Sequence, residues 1–472
     1  MKTLLAAVFA AGLLAGPAVA DEPISVSQHH YAAGGVSLSY RAETGRLPIF
    51  DPATGQAAGE IFFVAYRVPS KAPRPVTFVW NGGPGSPATL LHFEAFGPRR
   101  IEGGRFIDNP ASLLGASDLV FVDPVGTGFS RAATKDAAKD FYSVTGDLSA
   151  TAAFIERWRD RFGAERSPIY LAGESYGVWR SAGTAELLER RGVRVAGVVL
   201  ISGGVAVGDS TPRPLATALR TPNRTAAALF HGRLDPSLGT DRAAAVKAAE
   251  TWARDVYAPA LARIDTLSAA ERDQVAADLA RYTGYPLAQI DRKTLTVSPR
   301  QYLSGLLKDQ GKTLNTFDMR VTGADRDEET RKLTLDYFRK DLGYRTGLKY
   351  VGLEAQTPDD DPKPVNARWA YNSGEITPEV MARAQAGEGP PGGQPWTARA
   401  LALDPKLRVL VAAGLYDSLN SCAGNRELQA RLDPAIAGRF RFGCYLGGHM
   451  MYRDAEARAQ LSRDVKAFIS GR

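Results

Sequence analysis

The hydrophobic pattern divides the chain into two strand-rich stretches that flank a long helical one. Between residues 21 and 80, apolar and polar positions alternate, as in residues 35–40 and 60–66, and turn residues separate the runs. This pattern predicts an N-terminal β-meander. Later runs are almost continuously apolar, which is typical of strands buried on both faces of a parallel sheet. These runs are 75–80, 118–124, 167–172, 194–202, 407–413 and 439–446.

Helical stretches lie between the apolar runs. Residues 141–161 show an amphipathic pattern, and residues 181–190 are rich in helix formers. Strands that alternate with helices indicate an α/β protein with a doubly wound, mostly parallel sheet.

The pattern changes between residues 207 and 397, where strand signals cease and helical stretches alternate with polar loops. We therefore predict a mainly helical cap at 207–397, inserted between core segments 21–206 and 398–472. Its helical stretches are 241–255, 269–282 and 330–338, and a Gly- and Pro-rich linker follows at 387–395. Asn223-Arg-Thr225 within it is a nominal glycosylation triplet.

Residues 1–20 have the three parts of a cleavable secretory signal. Lys2 gives a positive start, residues 4–14 form an apolar run, and Ala18 and Ala20 form a small-residue cleavage site. The run is too short to span a bilayer, and no later stretch approaches the required length. We expect an exported protein without a membrane anchor, periplasmic or secreted after cleavage near Ala20.

Composition narrows the classes of partner. The formal net charge of +7 is small for 472 residues, and basic and acidic residues are interspersed. This favours a mixed solvated surface over a nucleic-acid or anionic-membrane binder. His29 and His30 have no nearby carboxylate or Cys cluster, so we expect surface residues rather than metal ligands.

Candidate chemistry begins at Gly173-Glu-Ser-Tyr-Gly177, which lies between a predicted strand and a predicted helix. In that context a G-x-S-x-G sequence predicts a tight turn that exposes a nucleophilic Ser175, the alternative being a merely structural turn. The N–H of Tyr176 is the expected first donor of an oxyanion hole.

A second glycine-rich loop, Asn81-Gly-Gly-Pro-Gly-Ser86, follows the strand at 75–80. No Gly-Lys-Ser/Thr follows it, which argues against a phosphate-binding loop. In a hydrolase the second oxyanion donor is expected here, and we assign it to Gly83, with Gly82 as the near alternative.

A serine nucleophile needs a base, and only five histidines are available. His449 alone follows a strand end in the core, so we predict it as the base rather than a core histidine. His231 lies in the predicted cap and is expected to be a structural or lid residue. We expect His92, close behind the glycine-rich loop, to line the cleft.

The base in turn needs an orienting carboxylate. Asp417 leaves the strand that ends near residue 413, whereas Asp404 and Asp433 are poorer candidates. The resulting order, Ser175, Asp417 and His449, is that of an α/β-hydrolase triad, and we predict that fold.

Several of these motifs together resemble the serine carboxypeptidase family. The similar segments are Asn81–Gly85, residues 109–112, residues 118–130, Gly173–Tyr176 and Gly448–Met450. The resemblance covers roughly half of the mature chain and includes neither the meander nor the cap.

The resemblance implies a way to choose substrates. It implies that Asn81 and Glu174 bind the C-terminal carboxylate of a peptide, and that Glu94 shares a proton with Glu174. Two neighbouring carboxyls cannot both ionise cheaply, so one retains a proton that can be donated. We therefore expect peptidase activity to be favoured at acid pH. Arg180, which departs from the family pattern, is expected either to contact a carboxylate or to face solvent.

The chain has two cysteines. Cys422 lies five residues after Asp417, and Cys444 lies five before His449. In an exported protein this even pair suggests a disulfide that joins the two catalytic loops, the alternative being two buried thiols.

We thus predict an exported serine carboxypeptidase that acts on peptides with a free C-terminus through an acyl-enzyme. No metal or organic cofactor is implied. An esterase or acyltransferase on the same scaffold is the first alternative, and a non-catalytic binding protein is the second. The oligomeric state is not predicted.

Overall fold

A computed structural model describes residues 23–51, 54–208, 211–323, 328–371 and 394–471. The predicted signal segment 1–20 and residues 387–393 of the predicted linker lie outside these ranges.

One mixed sheet organises the described part of the chain. Its order is β1-β2-β3-β7-β4-β9-β10-β11-β12, and β8 pairs with β3, while β5 and β6 form a separate hairpin. All neighbours from β7 to β12 are parallel, whereas β1, β2, β3 and β7 pair antiparallel. The strands are β1 Ser25–Ala33, β2 Val36–Phe50, β3 Ala57–Arg67, β4 Val76–Trp80, β5 Arg99–Glu102, β6 Arg105–Asp108, β7 Asp118–Val122, β8 Arg131–Ala132, β9 Ile169–Glu174, β10 Val195–Ile201, β11 Arg408–Gly414 and β12 Phe440–Tyr445.

The predicted mostly parallel sheet is therefore confirmed, and the N-terminal meander is present as β1, β2 and β3. The central strands are apolar throughout because a hydrophobic layer covers each face of the sheet. Phe78 packs into one layer and its neighbour Val79 into the other. The β5–β6 hairpin was not predicted.

Helices cover both faces of the sheet. In the core, α3 packs against α2 and α11 beside the central strands, and α14 packs against β11 and β12. The helices are α1 Lys135–Phe141, α2 Val144–Arg161, α3 Gly177–Arg190, α4 Arg213–Ala218, α5 Thr221–Phe230, α6 Arg242–Trp252, α7 Ala258–Ala262, α8 Ala269–Thr283, α9 Pro299–Gly305, α10 Glu328–Asp336, α11 Trp396–Leu403, α12 Cys422–Arg431, α13 Pro434–Ala437 and α14 Ala455–Ile469.

Short π and 3₁₀ segments interrupt this pattern. The π segments are Leu91–Phe96, Ala253–Tyr257 and Tyr337–Asp341. The 3₁₀ segments are Pro236–Leu238, Ile264–Thr266, Leu287–Gln289, Lys308–Gln310, Val365–Arg368 and Met451–Arg453.

The stretch between β10 and β11 contributes helices α4 to α11, and its described residues contribute no strand to the sheet. Several of these helices share a hydrophobic cluster of their own, with Trp252, Leu279 and Tyr302 among its members. The boundaries at 207 and 397 stay predictions. Among the described helices, none is both long enough and apolar enough to cross a bilayer.

Asn223, the first residue of the nominal glycosylation triplet, is buried in this stretch. Its side-chain Nδ2 donates to the carbonyl oxygens of Gly414, Asp417 and Asn420, at 3.3, 3.1 and 2.9 Å. In the folded protein the side chain therefore holds the loop after β11 and is not presented for glycosylation.

Candidate active site

The carboxyl ends of the parallel strands meet at one edge of the sheet, and the predicted site residues lie there. Asn81 follows β4, Glu174 ends β9, Asp417 follows β11 and His449 follows β12. Ligands and catalytic groups of open α/β sheets are found at this edge because the loops that leave the strands converge there.

Ser175 occupies the sharp turn between β9 and α3. Its φ of 59° lies in the left-handed region, which is strained for a residue with a side chain, and its N–H donates to the Ile201 oxygen at 2.9 Å. A Cβ on Gly173 would lie 2.0 Å from the Gly177 oxygen, so only glycine fits there. The Ser175 side chain is half-buried, while both of its sequence neighbours are buried. The turn therefore presents this hydroxyl above the sheet edge.

The glycine-rich loop after β4 lies directly against the nucleophile turn. A Cβ on Gly82 would come within 2.6 Å of the Tyr176 nitrogen and 2.9 Å of the Ser175 Cβ. Gly83 follows with φ of 103°, a conformation that favours glycine. The backbone of this loop therefore borders the reacting hydroxyl, as the oxyanion-hole prediction requires. The choice between Gly83 and Gly82 as donor stays a prediction.

Asp417 and His449 are brought together. The His449 Nδ1 lies 2.8 Å from the Asp417 Oδ2, and both side chains are almost completely buried. Burial lowers the pKa of His449, but the hydrogen bond and negative charge of Asp417, together with the charge of Glu174, outweigh it, so the pKa is raised from 6.5. The His449 Nε2 has no hydrogen-bond partner among the described residues. The imidazole is thus oriented by Asp417, and its second nitrogen is available to a reacting group.

Two further residues fix the acid and base loops. Asn420 donates through Nδ2 to the Asp417 Oδ2 at 2.7 Å and to the Ser202 oxygen at 2.9 Å. The Ser202 hydroxyl donates to the His449 oxygen at 2.6 Å. Because Ser202 directly follows β10, one strand end ties both loops together. No motif in the sequence marks Asn420 or Ser202 for this position.

The other candidate acids and histidines have structural positions. Asp404 and Asp433 accept hydrogen bonds from nearby backbone N–H groups. His231 Nε2 lies 2.7 Å from the Met319 oxygen, in agreement with a structural role. The expectation that His92 lines the cleft is wrong. Its ring is buried, bonds to the Tyr66 hydroxyl at 2.7 Å and stacks on Phe121.

Asn81 and Glu174 form a buried pair beside the nucleophile. Asn81 Nδ2 donates to the Glu174 Oε1 at 3.0 Å, and the Asn81 Oδ1 accepts from the Leu91 N–H at 3.1 Å. Burial raises the pKa of Glu174 above 4.5. The nearby charge of His449, the Tyr452 hydroxyl and the Asn81 amide oppose this shift, and the charge of Glu94 adds to it. No close hydrogen bond to the Glu174 Oε2 is found among the described residues, but the buried Tyr452 hydroxyl lies near this carboxyl. This carboxyl therefore retains a proton more readily than an exposed one.

Glu94 lies near enough to Glu174 for its charge to act on that carboxyl, but it also has a basic partner of its own. Glu94 lies in the π segment Leu91–Phe96 and pairs with Arg453. The Arg453 Nε and Nη2 donate to the two carboxylate oxygens of Glu94, at 2.8 and 3.3 Å. No hydrogen bond between Glu94 and Glu174 is found among the described residues. A carboxylate held by a guanidinium accepts hydrogen bonds rather than sharing a proton, so this geometry gives the predicted proton sharing no support.

A buried ion pair lies beneath the nucleophile turn. Arg180 Nε lies 3.0 and 2.9 Å from the two carboxylate oxygens of Asp147 on α2. The Arg180 Nη1 donates to the backbone carbonyl oxygen of Asn81 at 2.8 Å. The open choice for Arg180 is thus settled, because its side chain contacts a carboxylate and is buried. The pair joins α2, α3 and the glycine-rich loop.

The predicted disulfide between Cys422 and Cys444 is present. It joins the start of α12, which follows the Asp417 loop, to β12, which leads to His449. The loops that carry Asp417 and His449 are thus covalently linked.

Replacing both cysteines by serine is expected to lower the free energy of unfolding by about 3 kcal/mol, because the cross-link restricts the unfolded chain. Urea unfolding of the oxidised protein and of the double variant would measure this. The wild type under reducing conditions is the control and should approach the variant. Equal midpoints for all three samples would refute the prediction.

No group of three or more His, Cys, Asp or Glu side chains that could hold a metal occurs among the described residues. The arrangement instead provides a serine hydroxyl, an oriented imidazole and backbone groups of a glycine-rich loop. This sheet topology with these strand-end residues defines an α/β-hydrolase.

Part of the chain is similar to a known protein family. Residues 49–211 match the family model described as serine carboxypeptidase. The resemblance stated from the motifs is thereby confirmed over the segment that contains the glycine-rich loop and the turn at Ser175.

Individual relatives agree with this assignment. The chain is 31% identical over 166 residues to pheromone-processing carboxypeptidase kex1 of Aspergillus niger, covering 34% of this chain and 27% of that protein. It is 29% identical over 194 residues to retinoid-inducible serine carboxypeptidase of Rattus norvegicus, covering 40% of this chain and 41% of that protein. The match thus spans less than half of each relative.

A solved structure agrees in fold over most of the chain. It is the prohormone-processing carboxypeptidase Kex1(delta)p of Saccharomyces cerevisiae, with a TM-score of 0.55 and 14% identity, covering 92% of this chain and 91% of that one.

Proposed function

We propose that this protein is a serine carboxypeptidase that removes residues from the C-terminus of peptides. The observation that carries the proposal is the buried Asn81–Glu174 pair next to Ser175. A carboxyl with a raised pKa and an amide are suited to bind a carboxylate, and an esterase has no need of such a pair. The family match supports the same activity.

In the proposed reaction, the Ser175 hydroxyl attacks the carbonyl carbon of the last peptide bond while His449 Nε2 takes its proton. The N–H groups of Tyr176 and Gly83 stabilise the oxyanion. His449 then gives the proton to the leaving amine, and the C–N bond breaks. Water, deprotonated by the same imidazole, attacks the acyl-enzyme and restores the serine.

Recognition of the C-terminus is assigned to Asn81 and Glu174. The Asn81 amide and the protonated Glu174 would each donate a hydrogen bond to the substrate carboxylate. Because Glu94 is held by Arg453, we assign the donated proton to Glu174 alone. Once Glu174 ionises, it repels the substrate carboxylate and binding weakens.

The direct test compares two peptides of one sequence, one with a free C-terminus and one amidated, by mass spectrometry at mildly acid pH. We expect a ladder of C-terminal truncations from the free peptide only, and none with Ser175→Ala. Equal cleavage of the free and the amidated peptide would show that the protein does not recognise the C-terminal carboxylate, and that part of the proposal would be wrong. Intact peptides combined with Ser175-dependent ester hydrolysis would identify an esterase instead.

The proposal predicts how kcat/KM for a peptide changes with pH. An ester substrate without a free carboxylate serves as the reference, because it does not need Glu174. Both substrates need neutral His449, whose raised pKa sets a shared loss of activity on the acid side. Only the peptide needs protonated Glu174, whose pKa lies above 4.5. The ratio of peptide to ester kcat/KM should therefore fall as pH rises through the pKa of Glu174.

Glu174→Gln provides the control, because its amide donates a hydrogen bond at every pH. In that variant the ratio should become independent of pH. Both substrates should keep an acid limb set by His449, but at a lower pH, because the charge of Glu174 no longer raises the pKa of His449. A ratio that is already flat in the wild type would contradict the role of Glu174.

We also place the mature protein outside the cytoplasm, in the periplasm or secreted. The signal-like residues 1–20 support this location. The Cys422–Cys444 disulfide agrees with it, because such bonds persist in oxidising compartments. N-terminal sequencing of the purified mature protein should begin near Asp21.

A further inference from the structure

One loop of the insertion, residues 314–322, lies across both the acid and the base loops; we refer to it as the insertion loop. An antiparallel bridge between Leu314 and Thr322 closes it at its base. Inside it, the Asn315 Oδ1 accepts from the backbone N–H groups of Phe317 and Asp318, at 2.8 and 3.3 Å. The insertion loop therefore has a defined internal structure.

Three hydrogen bonds dock the insertion loop on the catalytic loops. The Met319 N–H donates to the Tyr416 oxygen at 2.9 Å. The Ser418 hydroxyl donates to the Thr316 oxygen at 2.7 Å. The His449 N–H donates to the Phe317 oxygen at 2.6 Å. The first two contacts flank Asp417 and the third is made by His449 itself, so the backbone of Phe317 is fixed relative to the base.

An ion-pair network anchors the far side of the insertion loop. Arg320 Nη2 lies 2.6 Å from the Asp318 Oδ2 and 2.7 Å from the Asp454 Oδ2. Asp454 directly precedes α14 in the core, and the guanidinium also lies over the Tyr416 ring. These contacts hold the insertion loop in one position relative to the core.

Phe317 presents its ring at this place without burying it. The ring centroid lies 5.2 Å from that of His449, and Phe317 keeps 41% of its surface exposed. Leu419 and Leu446, in the acid and base loops, are also exposed, at 43% and 38%. A single exposed apolar residue is ordinary, but this ring is held by backbone contacts beside the catalytic imidazole.

We propose that Phe317 contacts the side chain of the departing C-terminal residue and favours apolar residues there; this rests on the proposed function. The leaving amine must take its proton from His449 Nε2, so the departing residue has to lie against the imidazole. A ring 5.2 Å from that imidazole is within reach of the departing side chain. Contact with an apolar side chain would cover the exposed part of the ring and remove apolar surface from water.

The test uses two peptides that differ only in their last residue, leucine or glycine, with the wild type, Phe317→Ala and Phe317→Leu. In the wild type, kcat/KM for the leucine peptide should exceed that for the glycine peptide by about tenfold or more. Phe317→Ala should lose most of this preference through a fall for the leucine peptide, with the glycine peptide changed by about twofold at most. Phe317→Leu should retain the preference.

Phe50→Ala is the matched control. Phe50 is 37% exposed at the end of β2, where its ring lies under Arg157. Its removal tests the general effect of losing an exposed ring and should leave the preference unchanged.

Labelling by a fluorophosphonate distinguishes two roles of Phe317, contact with the departing side chain and positioning of His449. The fluoride that leaves the fluorophosphonate has no side chain for Phe317 to contact. The labelling rate should be the same in Phe317→Ala and the wild type. Slower labelling with an equal loss for both peptides would mean that Phe317 only positions the imidazole, and the proposal would fall. An unchanged preference in Phe317→Ala would also overturn it. Release of neither residue by the wild type would refute the proposed function itself.

Discussion

Ser175→Ala is expected to lower kcat for peptide hydrolysis by about 10⁶-fold, and His449→Ala by a similar factor. The nucleophile and its base act as a unit, so either loss removes the covalent route. The double variant should therefore be no slower than either single one. The remaining turnover would come from substrate binding and the oxyanion donors alone.

Steady-state release of the C-terminal residue, with long incubations for the variants, would measure these effects. Thermal unfolding of each variant is the control, since neither substitution should unfold the protein. Multiplicative effects in the double variant would show that Ser175 and His449 act independently, which would contradict the proposed triad.

Arg180→Met is expected to lower the free energy of unfolding by about 3–5 kcal/mol, because it leaves Asp147 buried without a counter-charge. Burial already raises the pKa of Asp147 above 3.8 although Arg180 opposes the shift. In the variant, the folded state would hold the Asp147 proton more tightly than the unfolded state. The loss of stability should thus be small below pH 3.8, where both states are protonated, and grow as pH rises.

Arg190→Met is the matched control on the same helix. Arg190 pairs with Glu186 at 2.7 Å, but its side chain is half-exposed and Arg399 also binds Glu186. We expect a change of about 1 kcal/mol or less. Denaturant unfolding of both variants at several pH values would make the comparison. Equal losses in the free energy of unfolding for Arg180→Met and Arg190→Met would show that the buried ion pair stabilises the protein no more than the exposed one.

Local sequence patterns were sufficient for the sheet and for the ends of its strands. Parallel strands buried on both faces are recognisable as continuous apolar runs. The turn at Ser175 is recognisable because it requires small neighbouring residues. The order of Ser175, Asp417 and His449 along the chain then predicted which strand ends must meet. The structure places Asp417 and His449 in contact, as that order requires.

What the sequence did not predict depends on contacts between residues far apart in the chain. Glu94 was assigned to Glu174 by resemblance, but its side chain bonds to Arg453. His92 was expected at the cleft, but Tyr66 and Phe121 enclose it in the core. No local sequence pattern predicts such tertiary contacts. Hydrophobic periodicity indicates which face of a helix or strand is buried, but not which residues that face contacts.

The pairing of β10 with β11 has a consequence for synthesis. Residues 197–201 pair with residues 408–412, so the sheet closes only after the whole insertion has been made. Contacts this distant in sequence form late, since their loop must be closed first. The growing chain therefore contains Ser175 long before Asp417 and His449. Under the proposed mechanism, a nascent chain cut short between β10 and β11 contains Ser175 but lacks both Asp417 and His449, and we expect it to be inactive towards peptides in the cell that makes it.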